Sequence, residues 1–250
     1  MKRITTLTIL LLTLTTALSA QGESNKRWEY KMTAGHNIGG TSPIPLPAEI
    51  RKIEAWRPLA LGGTLAFHVT RRLTPTWGVT SGIAIDIKGV TVKARVKYMN
   101  TSLVIGEGSD TGLFGGMFTG LNETRVRNGY LSLPLLATFS PSERLRLHLG
   151  GYAAFLKDAR LDGGASDGYI RNGGPAGERI NIEESTFDFS DQIRKVDAGL
   201  MALTDWYFTN RLAITGQLSW GLTPIFPSTF NGIPYKMYNI YLMAGLSFRL

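Results

Sequence analysis

The sequence contains no cysteine. That excludes a disulfide-stapled fold and any cysteine-held metal. It also excludes a lipid-anchored lipoprotein, whose lipid sits on a cysteine at the cleavage point. Histidine is nearly as scarce, with only His36, His68 and His148. Basic runs are missing too, and Arg71-Arg72 is the only adjacent arginine pair. Nothing therefore points to nucleic acid as a partner. Beyond residue 20 no segment offers the roughly 20 consecutive apolar residues of a membrane helix. A helical membrane protein is excluded.

What is present begins with a leader. Met1-Lys2-Arg3 is a short positive start, Ile4 to Leu14 is apolar mixed with threonine, and Ala17-Leu18-Ser19-Ala20 ends in a small residue. This reads as a secretory signal peptide over residues 1–20, cleaved after Ala20. Residues 21–250 are then one exported domain. The formal charge is +8. Lys2 and Arg3 supply two of those charges, and the rest are scattered, as suits a basic protein facing anionic lipid heads.

The exported part alternates between apolar and polar residues in eight segments. Trp28, Tyr30, Met32 and Ala34 oppose Glu29, Lys31, Thr33 and Gly35. Leu61, Leu65, Phe67 and Val69 oppose Gly62, Thr64, Ala66 and His68. Val79, Ile83, Ile85 and Ile87 oppose Thr80, Gly82, Ala84, Asp86 and Lys88. Val90, Val92 and Val96 then take over, which predicts a phase slip and a bulge at Gly89. The remaining segments are Tyr130–Phe139, Leu145–Phe155, Val196–Trp206, Leu212–Leu222 and Tyr238–Arg249.

Connections between segments alternate in length. Short ones lie at 71–76, 140–144 and 209–210, and long ones at 39–58, 100–125, 156–195 and 224–236. Outer-membrane barrels have short periplasmic turns and long outer loops. The predicted fold is all-β: an eight-stranded antiparallel up-and-down transmembrane β-barrel with short periplasmic turns and long extracellular loops. Trp77, Phe139, Trp206, Phe208 and Phe248 lie beside the short turns or the C-terminus, where a periplasmic aromatic girdle belongs. A soluble barrel would need charges on its second face. Here that face reads Ala60, Gly62, Thr64, Ala66 and His68, small groups suited to a crowded lumen.

One stretch resembles a known family. Tyr130-Leu131-Ser132-Leu133-Pro134-Leu135-Leu136, followed by Leu145 to Leu156 with Gly150-Gly151-Tyr152, resembles the PorT-like outer-membrane β-barrel family of Bacteroidetes. Asp197-Ala198-Gly199 looks like the family's "DxG", and Gly245-Leu246-Ser247-Phe248-Arg249-Leu250 like its last strand. The spacing at Gly150-Gly151-Tyr152 and the terminal Leu250 depart from the usual pattern. The resemblance implies an accessory or assembly role in type IX protein secretion. It also implies that Pro134 sits within a strand, at a bend or bulge, whereas the residue alone would equally end the strand at Leu133.

No catalytic, cofactor-binding or metal-binding residue stands out. Asp86, Lys88, Arg146, Asp197 and Asp205 fall on the polar face, and an eight-stranded barrel leaves no aqueous channel. They are expected to pair inside the lumen. His36 lies near the first long loop, while His68 and His148 lie toward the short turns, so the three are not expected to meet. An enzyme acting on lipid or peptide would need His36 beside an acidic loop residue such as Glu49 or Asp191. The alternative to both is a surface adhesin or ligand-binding barrel. Partners are expected to be outer-membrane lipid and, through the long loops, secretion machinery or other membrane proteins.

Overall fold

The computed structural model describes residues 27–59, 62–105, 112–172, 176–230 and 232–250. The leader expected over residues 1–20 lies outside them. Ten strands are present: β1 Trp28–Pro43, β2 Ile50–Pro58, β3 Gly63–Arg72, β4 Trp77–Ile105, β5 Gly112–Phe139, β6 Leu145–Arg171, β7 Arg179–Asp188, β8 Val196–Tyr207, β9 Leu212–Gly221 and β10 Met237–Arg249. Eight of them close a ring. β1 pairs with β3, then come β4, β5, β6, β8, β9 and β10, and β10 returns to β1 over Lys31↔Arg249 to Pro43↔Met237. All pairings are antiparallel, so this is the expected up-and-down barrel. Closure leaves no open edge in the lipid, where an unpaired backbone group has no water to bond. No described helix is long and apolar enough to cross a membrane.

The two faces are sorted as the alternation predicts. Leu65, Ile85, Leu135, Leu149, Leu200, Ile214 and Leu246 point outward and stay exposed, while Thr64, His68, Thr80, Asp86, Ser132, Arg146 and Asp205 are buried in the lumen. The girdle residues Trp77 and Phe139 touch, their rings 4.8 Å apart. Trp206, Phe208 and Phe248 are exposed at the same end. Pro134 lies inside β5, with β6 paired to it through Tyr152. The β4 ladder instead lacks partners at Gly82 and Ile83, and Ser81 Oγ donates to the Pro134 carbonyl at 2.9 Å. The strand thus continues through the proline, and the lost amide falls in one short gap.

The structure corrects the long connections. The first three are largely not loops above the barrel wall but more of the wall itself, and only 224–236 has no strand among its described residues. β4, β5 and β6 run on well past the expected strand ends, β2 pairs with the upper part of β4, and β7 pairs with the upper part of β6. A bridge between Val104 and Thr186 joins β4 to β7. β4, β5, β6 and β7 therefore close a smaller ring above the main one, here called the head.

Gly89 carries no bulge toward β5. The register runs unchanged from Trp77↔Phe139 to Val96↔Gly120. Thr80, Asp86, Lys88, Val90, Ala94 and Val96 all face inward and are buried. What changes is the surroundings. Below Gly89 the outward residues are Ile83, Ile85 and Ile87; above it they are Thr91, Lys93, Arg95 and Lys97. A strand leaving lipid for water inverts its pattern without slipping, because the outer face is then wet and the inner one dry. Irregularities lie elsewhere. Tyr98, at φ 56, sits where β4 shifts between Val96 and Met99. Lys157 is the extra residue between Gly129↔Asp158 and Tyr130↔Leu156, so in β6 the inward set does change parity.

Candidate functional site

The lumen is filled by side chains of both signs. Six buried charges face it: Lys31, Lys88 and Arg146 against Asp86, Asp197 and Asp205. Asp205 is the hub. Lys31 Nζ bonds to it, His148 Nε2 lies 3.1 Å from its Oδ2, and Thr215 Oγ1 donates to its Oδ1 at 2.7 Å. Hydroxyl groups extend the network from both sides. Thr138 and Thr80 reach His148 Nδ1 at 2.8 and 3.3 Å, and Thr215, Ser247 and Thr33 form a chain at 2.6 and 2.7 Å. Buried ions survive when paired and hydrogen-bonded in this manner.

Higher up, Asp86 accepts from Thr64 and Ser132. Among the described residues Lys88 has no carboxylate partner and is held instead over the rings of Tyr152, Tyr130 and Tyr241, at 5.1, 5.5 and 5.7 Å. Such cation–π contacts strengthen where water is excluded. Tyr152 donates to Asp197 at 3.1 Å, and Asn239 donates to Asp197 at 3.1 Å and to Tyr130 at 3.2 Å. At the periplasmic end Glu29 takes Arg146, Arg72 and Arg249. The three layers fill the lumen with side chains, as eight strands allow.

The head is built oppositely, with an apolar inside. Val96, Met99, Phe118, Leu161, Ile170, Ile182 and Phe187 form one buried cluster. The last long connection joins it through aromatic contacts: Phe187–Phe189 at 5.3 Å, Phe189–Phe230 at 5.2 Å and Phe226–Phe230 at 4.2 Å. Backbone bonds fix it further, Arg194 N to Ile225 O at 2.7 Å and Ile225 N to Met237 O at 2.9 Å. Tyr235 is partly buried there, and that burial pushes its hydroxyl up to about 12. Asp188 closes β7 by accepting the Ser190 amide at 2.9 Å, and these Ser190 hydrogen bonds hold its carboxyl below the usual range. Beside β2, Ile50, Ile53, Trp56, Val92 and Tyr235 line an apolar cleft of about 120 Å³. Trp56 and Ile53 remain half exposed in it.

The predicted lumen residues fall where the alternation put them, and Lys31, His148 and Asp205 meet. His68 is cross-strand to Lys31 and joins the same layer. His36 does not meet them. It points outward from β1, between Gly63 and Ala244 on the neighbouring strands, and has no ion pair with Glu49 or Asp191. Among the described residues no group of three or more His, Asp or Glu could hold a metal ion. Lys31 and Glu29 were legible as polar-face residues, but their partners are distant in sequence. Phe118, within the long connection expected over 100–125, is fully buried in the head core.

A family model for the outer membrane protein beta-barrel domain matches residues 19–227. No curated protein matches the chain. Among solved structures, the chain is similar to Ail, the attachment invasion locus protein of Yersinia pestis, in complex with the heparin analogue sucrose octasulfate. Identity there is 11%, over 90% of this chain and 99% of that one, with a TM-score of 0.38. It is similar to OprG from Pseudomonas aeruginosa at 11% identity, over 90% and 93% of the two chains, TM-score 0.35. It is also similar to the outer membrane protease OmpT from Escherichia coli at 11% identity, over 92% and 99%, TM-score 0.31. Likeness at this level says nothing about activity.

Proposed function

The chain belongs to the outer membrane protein beta-barrel domain family, and we propose that it serves there as a closed docking barrel in protein secretion. Its place is the bacterial outer membrane. The finer reading, a non-enzymatic accessory of the PorT-like, type IX kind, draws on the resemblance at residues 129–156 and 197–199.

One observation carries the docking role: an apolar-cored head on a barrel whose lumen is filled with side chains. A blocked lumen suits neither a pore nor a cargo channel, so any activity falls to the head and the outer wall. Deleting the gene and comparing the secreted proteome tests the secretion role. Loss or intracellular retention of exported proteins is expected, and an unchanged secreted proteome refutes it.

A second reading is favoured by the apolar cleft beside β2. Its half-exposed Trp56 and Ile53 suit an apolar ligand at the cell surface. Trp56→Ala would then abolish ligand binding while leaving the secreted proteome intact.

A further inference from the structure

We propose that the periplasmic mouth of the barrel is an anion-binding site, one that takes a carboxylate or phosphate group. This inference is independent of the docking role. A cavity of about 690 Å³ opens between the short turns. Its wall carries Arg72, Arg144, Arg146 and Arg249, with Tyr207 and the single carboxylate of Glu143.

Behind this wall three guanidinium groups share one carboxylate. Arg146 and Arg249 approach Glu29 Oε1, with Arg249 Nε 3.2 Å away, and Arg72 bonds Oε2 at 3.3 Å. Among the described residues no second carboxylate forms an ion pair with any of the three. Arg146 and Arg249 also share one ring, their guanidinium carbons 5.0 and 4.1 Å from the Tyr207 centroid. Two like charges are thereby held close together, a costly arrangement without an added counter-ion.

The hydrogen bonding tells the same story. Arg146 Nε and the Tyr207 hydroxyl are buried without a hydrogen-bond partner, while Arg249 Nε reaches only the shared Glu29. Buried polar atoms are normally satisfied. Two unsatisfied donors at one cavity, on a cluster with excess positive charge, match an oxyanion with several acceptor lone pairs. Arginine's planar fork suits carboxylate and phosphate alike. The adjacent layer contrasts with this: there Lys31 has its own carboxylate in Asp205.

Glu29 in this arrangement is an internal stand-in that competes with the ligand, and this makes the test specific. The full chain is placed in phosphatidylcholine nanodiscs, and inorganic phosphate and citrate are titrated by calorimetry at constant ionic strength. Saturable binding is expected. Arg72→Gln and Arg249→Gln, both partly exposed, should each weaken it about tenfold or more, the scale of one lost charge-assisted hydrogen bond. Glu29→Gln should tighten it by removing the competitor. Heat-modifiable gel migration checks that each variant is folded. Nanodiscs containing phosphatidylglycerol separate the sources of the anion. Affinity lost there means a lipid headgroup fills the site, and affinity kept means a soluble periplasmic anion does; either outcome supports the site. Absence of binding, arginine variants that bind like the parent, or a Glu29→Gln variant that binds no tighter would each overturn it.

Discussion

Asp205→Asn is the sharpest probe of the lumen. Asp205 is fully buried and bonds Lys31, His148 and Thr215 together. Asparagine keeps the shape and an acceptor for Thr215 but removes the charge. Lys31, itself only 3% exposed, is left as an unpaired cation. Breaking a buried pair from one side costs about 3–5 kcal/mol. Lys31→Met leaves Asp205 with His148 and Thr215 and should cost somewhat less. The double variant removes both charges, and replacing a buried pair by uncharged groups is often near neutral. The cycle should therefore show a coupling at or above the top of the ~0.5–3 kcal/mol range seen for contacting residues. Urea unfolding from lipid vesicles, followed by tryptophan emission, measures all four proteins. An Asp205→Asn variant within about 0.5 kcal/mol of the parent, or strictly additive costs, would refute the network as a stabilising unit.

Other expectations concern the wall and the head. Ile85→Arg and Thr91→Arg both point outward from β4, one facing lipid and the other water. The first should cost about 2–4 kcal/mol and the second almost nothing, and equal costs would move the membrane boundary. Gly82→Ala should destabilise by about 1–3 kcal/mol in the same unfolding assay, since its Cβ would lie 2.1 Å from the Phe67 carbonyl, which cannot move aside. Purified protein in planar bilayers should show no conductance steps; stable open channels would contradict a blocked lumen. Asp188 has a lowered pKa, so its stabilising effect is complete above the ordinary carboxylate value and fades as pH falls through the folded value. The protection factor of the Ser190 amide, its exchange rate relative to the unfolded rate at the same pH, should fall over that acidic window, and Asp188→Asn should show low protection at every pH.

Much of the barrel was legible because lipid imposes a simple code. Leu131, Leu133, Leu135 and Ala137 alternate with Ser132, Pro134 and Thr138, and each group went to the expected side. The head was not legible for a related reason. Above Gly89 the inward face turns apolar and the outward face charged, so Val90 and Val96 looked like a slip of phase when they were the same face in a new medium. β7 was hidden by its composition: Asn181, Glu183 and Glu184 look like loop residues, and its pairing to β6 rests on Gly163, Gly164 and Gly168. The lumen partners were invisible because ring closure brings them together. Lys31 and Asp205 lie 174 residues apart, and no local pattern couples them.

That long separation bears on how the protein is made. Lys31–Asp205, Thr33–Ser247 and Thr41–Asn239 all tie the first strand to the last third of the chain. They can form only once β1 meets β10. By then Lys93, Arg95, Arg125 and Arg127 must already be outside the cell, since a filled lumen gives them no route. Assembly therefore has a required order, with the charged head crossing first and the seam closing last. The polar network acts as a latch that sets once, behind the part it has let through.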